Sequence, residues 1–433
     1  MILPCRVFII FTVLALSGCG QPVYYLMPDP VGDDRSGYEF TPDADKNGTI
    51  RIGYATNRMI APADSGKYYS KEYDGDLRFG NVFIQIGSGD ESWDEILDIS
   101  MDANRGEEIP LTLTGVHRMG RLASTASLDN LPPDIKRLFT QINVRLERYP
   151  IKEVTVYLHG ANTSFYRAAA LGAQYHHFSG RFSPFVVYAW PSAESLLQYR
   201  KDVINAEASV PAFVRFIKLL AQNTNVEKIN ILAYSAGAQL ATKALTVLGS
   251  DHGDPDRERY RKSLRLGTIY YAAPDAEFET FIEQLRSYID LVDNVTITMS
   301  RDDSVLKLSQ RFNKKSRLGM PDLEEADPED REWAKTLSRT AQLDIIEIDT
   351  EVIPGVEAGA HNYWYNSPWV STDTIVLLNA HLKPEDRGLV STGDENTAQV
   401  WTFPPDYDRR IRTIIQELRE DWLPSLGKAK EKQ

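Results

Sequence analysis

One short segment near the middle of the chain constrains the fold more than any other. The mostly apolar residues 229–232 lead into Ala233-Tyr234-Ser235-Ala236-Gly237, and a helix-forming segment follows at once. A serine between small residues at a strand-to-helix turn is typical of a nucleophile elbow, because the residues two before and two after the serine must pass close together. Ser235 is therefore a candidate nucleophile, although Ala233 stands where glycine is usual and an ordinary strand-to-helix turn is the alternative.

Strand and helix patterns alternate on both sides of this segment. Several of the predicted strands are apolar on both faces, as a buried parallel sheet requires. The alternation predicts an α/β fold with a mostly parallel, doubly wound sheet and helices on both faces, and active sites in such sheets lie at the carboxyl ends of strands. The predicted strands of this region are residues 154–158, 185–190, 228–232, 267–273, 295–299 and 343–348.

The N-terminal residues have the pattern of an export signal. Arg6 precedes an apolar stretch at residues 7–14, which is too short to span a membrane as a permanent helix. Leu16-Ser17-Gly18-Cys19 follows and resembles a bacterial lipobox. We expect residues 1–18 to be a lipoprotein signal peptide and Cys19 to be lipidated, which anchors the protein in the cell envelope; Gly20 favours the periplasmic face of the outer membrane. An ordinary secretory signal is the alternative.

Composition sets the remaining boundaries. Residues 19–48 are rich in proline, glycine and aspartate and are predicted to form a flexible tether. Residues 49–385 are long enough for one sizeable α/β domain, and we predict a single α/β-hydrolase domain there. Residues 386–433 are predicted to be a charged C-terminal extension with a helix at 409–422. The two cysteines, Cys5 and Cys19, leave none for a disulfide after processing, and the net charge of −13 argues against nucleic acid as a partner.

Chain order limits which histidine can serve a serine nucleophile. In this kind of fold the order is serine, then acid, then histidine. Of the seven histidines only His252, His361 and His381 follow Ser235. His361 lies in a glycine-containing loop after the last predicted strand, where the base belongs, whereas His252 lies in a charged connection and His381 ends a helical run. His361 is therefore the predicted base.

Three aspartates compete for the role of the acid. Asp302 and Asp303 follow the strand at 295–299, and Asp275 follows the preceding strand. Either strand end can supply the acid, and we choose Asp303 before Asp275 and Asp302. A helix N-cap is the alternative role for each, because aspartate after a strand often caps the next helix.

The oxyanion hole needs two backbone N–H donors near the serine. One is predicted to be Ala236, at the start of the helix after the elbow. The other should come from the loop His159-Gly160-Ala161-Asn162, through Ala161 or Asn162, with His159 in a supporting role. We expect no metal and no cofactor, because the chain has no metal-binding histidine or cysteine motif and no Gly-x-Gly-x-x-Gly after a strand.

Several segments, in the same order, resemble a bacterial α/β-hydrolase family of esterase/lipase-superfamily proteins of unknown function. The matching segments are Ala55-Thr-Asn-Arg58, Leu158-His-Gly-Ala-Asn-Thr-Ser-Phe165, Ala189-Trp-Pro-Ser192, the Ser235 elbow, Ala273-Pro-Asp275, Ser300-Arg-Asp-Asp-Ser-Val-Leu306, Arg317-Leu-Gly319 and Gly359-Ala-His-Asn-Tyr363. The resemblance spans about residues 50 to 380. It implies the α/β-hydrolase fold and a triad of Ser235, Asp303 and His361. The family more often has tyrosine at the position of Ala161 and His-Ser-Met-Gly at the position of Tyr234-Ser-Ala-Gly237.

Three functional hypotheses follow from these residues. The first is a serine hydrolase that acts on a small ester or related acyl substrate. The second is a non-catalytic envelope lipoprotein that keeps the scaffold for binding, because a fold does not guarantee chemistry. The third is acyl transfer to an acceptor other than water, by the same residues. The sequence leaves the acyl group open.

Overall fold

The computed structural model describes residues 23–25, 35–39, 41–102, 107–149, 151–250, 256–392 and 397–430. Its central feature is one twelve-stranded sheet in the order β1-β4-β3-β2-β6-β5-β7-β8-β9-β10-β12-β11. The strands are β1 Val23–Tyr24, β2 Thr49–Ile60, β3 Tyr69–Ile86, β4 Pro110–Leu122, β5 Glu153–Leu158, β6 Phe185–Tyr188, β7 Lys228–Tyr234, β8 Leu266–Ala272, β9 Asn294–Met299, β10 Leu343–Glu347, β11 Val390–Ser391 and β12 Trp401–Thr402.

Most of the sheet is parallel, and the predicted α/β-hydrolase type of fold is confirmed. Neighbouring strands are parallel in the part of the sheet ordered β2-β6-β5-β7-β8-β9-β10-β12. Neighbouring strands are antiparallel at the edge ordered β1-β4-β3-β2. The helices are α1 Trp93–Met101, α2 Pro133–Arg148, α3 Phe165–Phe178, α4 Tyr199–Asn223, α5 Gly237–Ser250, α6 Arg257–Leu264, α7 Phe278–Tyr288, α8 Ser304–Asn313, α9 Pro328–Leu337, α10 Tyr363–Asn366, α11 Pro368–Ala380 and α12 Tyr407–Lys430.

The sheet separates two hydrophobic cores. Ile231 of β7 belongs to the core on one face together with helices α2, α4, α5 and α7, and the next residue, Leu232, belongs to the core on the other face with α3, α10 and α11. Successive side chains of a strand point to opposite faces, so a strand that is covered on both faces is apolar along most of its length. This requirement explains the continuous apolar runs in the sequence.

The order of the strands creates a crevice at one edge of the sheet. The chain adds β6 on one side of β5 and then crosses to place β7 on the other side. At such a switch point the connections that leave the two neighbouring strands run to opposite faces, and a crevice opens between them at the carboxyl ends. The segment after β5 and the turn at Ser235 lie on either side of this point.

The described part of residues 19–48 packs on the domain, so the prediction of a flexible tether is wrong there. Val23–Tyr24 pairs with β4. The buried guanidinium of Arg181 donates to the carbonyl oxygens of Asp45 and Asn47, the second across 3.1 Å. In this segment proline, glycine and aspartate occur in turns, and the backbone carbonyl groups of these turns satisfy the buried guanidinium. The same composition is also typical of a free linker, so composition did not distinguish the two.

The predicted domain boundary at residue 385 is also wrong. Trp401–Thr402 pairs with β10 in parallel, and Phe403, Tyr407 and Ile411 are buried in the core beside α11. The fully buried Arg387 donates to Asp373 of α11 across 2.7 Å. The apolar positions that dock this segment are few and widely spaced among charged residues, so composition alone made it resemble an extension.

The expected lipid anchor stays a prediction. Cys19 and the whole of residues 1–18 lie outside the described residues. Across the ranges that the structure describes, none of the helices combines the length and the hydrophobicity that crossing a bilayer requires.

The buried ion pair between Arg387 and Asp373 gives a stability prediction. Replacing Arg387 by alanine leaves the Asp373 carboxylate buried without its cation, so we expect Arg387→Ala to lower the free energy of unfolding by about 3–5 kcal/mol. Urea denaturation measures the change. The control is Arg409→Ala, because Arg409 forms an exposed pair with Asp406 and its loss should cost less than about 1 kcal/mol. Equal effects of the two substitutions would contradict the role assigned to the buried pair.

Candidate active site

The turn after β7 has the geometry of a nucleophile elbow. Ser235 has a φ of 53°, a left-handed conformation that non-glycine residues seldom adopt. The backbone on both sides holds it there, because the Ser235 N–H donates to the Ala272 carbonyl across 3.0 Å and the Asp275 N–H donates to the Ser235 carbonyl across 3.1 Å. Strain of this kind persists only where the surrounding structure enforces it.

Close backbone packing explains the glycine two residues after Ser235. A Cβ atom at Gly237 would lie 2.6 Å from the His159 carbonyl oxygen and 2.7 Å from the Leu158 carbonyl oxygen. Gly160, in the loop after β5, meets the same turn from the other side, since a Cβ atom there would lie 2.9 Å from Cβ of Ser235. The loop after β5 and the elbow are therefore in direct contact.

His361 connects Ser235 to Asp303. The Ser235 hydroxyl and Nε2 of His361 are 2.8 Å apart, and Nδ1 of His361 lies 2.6 Å from Oδ2 of Asp303. The carboxylate can only accept, so it assigns the imidazole proton to Nδ1 and leaves the lone pair of Nε2 facing the serine hydroxyl. The structure thus brings together the three side chains that the sequence singled out as a triad.

Asp303 also caps helix α8. Its Oδ1 accepts from the N–H groups of Val305 and Leu306 across 3.0 and 2.9 Å, while Oδ2 faces His361. The side chain is fully buried. The sequence left the triad acid and the N-cap as alternatives, and the geometry is compatible with both because the two carboxylate oxygens serve different partners.

The other two aspartates do not face His361. Asp275 is buried in an ion pair with Arg317, whose Nε donates to Oδ1 across 2.6 Å, and it accepts from the hydroxyls of Ser309 and Tyr199. Both of its carboxylate oxygens are therefore occupied. Asp302 is exposed and pairs with Lys307 across 3.3 Å.

The remaining histidines after Ser235 take no part in this arrangement. His381 lies 2.8 Å from Glu153 and 3.3 Å from Thr268. These partners lie near the amino ends of β5 and β8, at the opposite edge of the sheet from Ser235. His252 lies outside the described residues.

His159 supports the loop after β5. Its ring stacks on Trp190 with a centroid distance of 4.9 Å, and its nitrogens lie 2.8 Å from the Gly160 carbonyl and 3.0 Å from the Trp190 carbonyl. Burial, reinforced by the positive charge of Arg58, lowers the pKa of His159 to about 3. The neutral ring is thus a fixed part of the wall behind the elbow.

Of the two loop amides proposed for the oxyanion hole, the Asn162 N–H is already engaged. It donates to Oδ2 of Asp202 across 2.9 Å. The N–H groups of Ala161 and Ala236 have no acceptor among the described residues. The arrangement therefore favours Ala161 with Ala236, and it argues against Asn162.

Asp202 is a part of the site that the sequence reasoning missed. This buried residue of α4 accepts from the N–H of Asn162 and also from the N–H of Ala193, so it fastens the loop after β5 to the loop after β6. Burial raises the pKa of Asp202, and the two N–H donors oppose that rise. The sequence signal was weak, because the residues that share the buried side of α4 with Asp202 include the polar Asn205 as well as Ala206.

One aromatic ring lies beside the imidazole of His361, and two more pack against that ring. The centroid of Tyr234 is 5.2 Å from that of His361, and those of Trp364 and Tyr365 are 5.6 and 5.9 Å from that of Tyr234. Their contacts limit the movement of the histidine between the serine and the aspartate.

The fold agrees with the sequence comparisons. A model of the family described as alpha/beta hydrolase of unknown function (DUF900) matches residues 136–377, more than half of the 433-residue chain. The protein therefore belongs to this family of α/β hydrolases, which confirms the resemblance seen in the sequence. A search of curated proteins and a search of solved structures each gave no match.

The contact at Gly237 gives a second prediction. A methyl group there must displace the carbonyl groups of Leu158 and His159, so we expect Gly237→Ala to lower the free energy of unfolding by about 1–3 kcal/mol in urea denaturation. The control is Gly115→Ala in β4, where the nearest atom to an added Cβ is 3.7 Å away in Phe83. The control should leave stability unchanged or slightly raised, and a neutral Gly237→Ala would refute the packing constraint.

Proposed function

We propose that the protein is a serine hydrolase that cleaves an ester or related acyl bond. The observation that carries the proposal is the continuous hydrogen-bonded arrangement from Ser235 through His361 to Asp303. A nucleophile, its base and the group that orients the base lie within hydrogen-bonding distance of one another, as this chemistry requires. The hypothesis of a non-catalytic scaffold would have been favoured by a large separation of His361 from Ser235, and the separation is 2.8 Å.

The proposed reaction begins with acylation of the serine. Oγ of Ser235 attacks the carbonyl carbon of the substrate while Nε2 of His361 takes the hydroxyl proton. The carbonyl oxygen, on which negative charge develops, accepts hydrogen bonds from the amides of Ala161 and Ala236. Ala236 lies at the N-terminal end of α5, where the helix dipole also favours negative charge. Asp303 stabilises the positively charged imidazole that forms.

The second half of the reaction returns the enzyme to its starting state. When the tetrahedral intermediate collapses, the bond to the leaving group breaks and His361 gives its proton to the departing oxygen. Water then loses a proton to His361 and attacks the acyl-serine. As the second tetrahedral intermediate collapses, the bond from Oγ of Ser235 to the acyl carbon breaks and His361 gives its proton to Oγ, which releases the carboxylic acid and regenerates the Ser235 hydroxyl. We place this activity in the bacterial cell envelope, on a protein anchored through a lipid on Cys19.

Removing the nucleophile tests the proposal directly. We expect Ser235→Ala to lower kcat on a water-soluble short-chain ester by about 10⁶, because the members of a triad act as a unit. A fluorophosphonate probe should label the unmodified protein at Ser235. The matched control is Ser316→Ala, which removes a buried hydroxyl that makes no hydrogen bond among the described residues and should leave turnover unchanged. Undiminished turnover in Ser235→Ala would end the proposal.

A pair of aspartate substitutions separates the two strand-end acids. Asp303→Asn keeps an oxygen for the N-cap but changes the group facing Nδ1 of His361, so kcat should fall by about 10⁴ with the fold retained. Asp275→Asn should act on stability instead, by about 3–5 kcal/mol, because Arg317 loses its buried counter-charge. Turnover by the folded fraction and urea denaturation measure the two effects, and the reverse pattern would make Asp275 the acid.

A further inference from the structure

Helix α8, which begins directly after Asp303, exposes a row of apolar side chains. Val305, Leu308 and Phe312 are 41%, 51% and 70% exposed. They are three and four residues apart, so they lie along one face of the helix. Leu306 and Ser309, on the packed side of the same helix, are buried. The exposed row is therefore not the edge of a core contact.

A further exposed apolar side chain belongs to a segment that contacts α8. Ser309 of α8 lies 3.2 Å from the hydroxyl of Tyr199, the first residue of α4. Leu197, two residues before Tyr199, is 98% exposed. We call Leu197, Val305, Leu308 and Phe312 together the α8 surface.

A row of basic side chains borders the α8 surface. Lys307, Arg311 and Lys314 are spaced four and three residues apart and are all exposed. Lys307 pairs with Asp302, but no carboxylate in the described parts of the chain pairs with Arg311 or Lys314. Residues 304–321 include no acidic residue, although the whole chain has a net charge of −13.

The α8 surface lies at the active-site edge of the sheet. Asp303 joins the two directly, because one of its carboxylate oxygens caps the first turn of α8 while the other faces His361. Asp275 makes a second connection, since it accepts from Tyr199 and Ser309 beneath the surface while its backbone N–H bonds to Ser235. Whatever binds the α8 surface is brought to the edge where Ser235 lies.

We propose that the α8 surface docks on an anionic lipid membrane and presents acyl esters of lipids to Ser235. An apolar row bordered by lysine and arginine is the composition of helices that lie in a bilayer interface, with the apolar side chains at the acyl boundary and the cations near anionic headgroups. A standard protein interface buries about 800 Å² on each partner, more than four side chains supply, whereas a bilayer accepts a narrow row. The docking stands by itself; the substrate class rests on the proposed hydrolase function.

Vesicle binding tests the docking. Every protein consists of residues 19–433 with Cys19→Ser, so that neither an attached lipid nor the apolar stretch at residues 7–14 contributes to binding. Binding is measured by co-sedimentation with vesicles of phosphatidylcholine alone or mixed with phosphatidylglycerol. The parent protein should prefer the anionic vesicles and lose affinity as salt rises. Leu308→Ser with Phe312→Ser, and separately Arg311→Glu with Lys314→Glu, should each weaken binding to anionic vesicles at least tenfold.

Matched variants control for hydrophobicity and charge at other surfaces. Val144→Ser with Val247→Ser removes apolar side chains that are 40% and 43% exposed, and Arg259→Glu with Lys262→Glu reverses two exposed charges on α6. Both should bind vesicles like the parent. A parent protein that shows no preference for anionic vesicles, or α8 variants that bind like these controls, would overturn the docking proposal.

Two activity measurements separate this proposal from the hydrolase proposal. Fluorophosphonate labelling of Ser235 and turnover of a water-soluble ester should be the same in the parent and in both α8 variants. Hydrolysis of an ester held in anionic vesicles should fall at least tenfold in the α8 variants alone. Equal loss on both substrates would refute lipid presentation by α8, whereas a parent protein that is not labelled would refute the hydrolase function and leave the docking result standing.

Discussion

The contact between the loop after β5 and the turn after β7 is the constraint on which the candidate site depends. Parallel pairing sets it, because the ladder places Leu158 opposite Ala233 at the ends of the two strands. The chains then leave the sheet within van der Waals contact, which Gly160 and Gly237 allow. The amides of Ala161 and Ala236 consequently lie on the two segments that meet at Ser235, so strand register is what brings the proposed oxyanion donors and the proposed nucleophile to one place.

Buried carboxylates fasten the loops that a parallel sheet leaves at this edge. Asp303 holds the start of α8, Asp202 holds the loops after β5 and β6, and Asp275 holds Arg317 and the segment around it. A carboxylate that accepts from backbone N–H groups or from a guanidinium offsets the cost of its own burial. Rigid placement of this kind is what a catalytic constellation needs from the residues behind it.

The extent to which the sequence predicted this arrangement depended on the range of the interactions. The elbow and the strands show as local sequence patterns, and Ser235, Asp303 and His361 follow one another in the order that this fold requires. These features could therefore be predicted from the sequence. The tether and the boundary at 385 were wrong because scattered contacts with other parts of the chain hold these segments, such as the pairing of Arg387 with Asp373 and the donation from Arg181 to the backbone near Asp45. No periodic pattern marks such a contact.

Asp202 shows the same limit inside the site. Forty residues separate it from Asn162, whose amide it binds, and its role becomes visible only when α4 is packed against the loop after β5. The sequence left Ala161 and Asn162 as equal candidates for the oxyanion donor, because it did not reveal this partner of Asn162. A sequence motif gives the residue types that surround a nucleophile, but it does not say which backbone amides are already engaged.

Tyr234 is the neighbour of Ser235 that most directly affects the base. The resembled family more often has histidine at this position, which would put a second titratable ring beside His361. Burial instead raises the pKa of the Tyr234 hydroxyl, so this residue stays neutral when His361 takes a proton. The two ring centroids are 5.2 Å apart, within the range in which an aromatic ring attracts a cation. In the proposed reaction the imidazolium would therefore gain support from Tyr234 as well as from Asp303, with no competing proton-binding group next to it in the elbow.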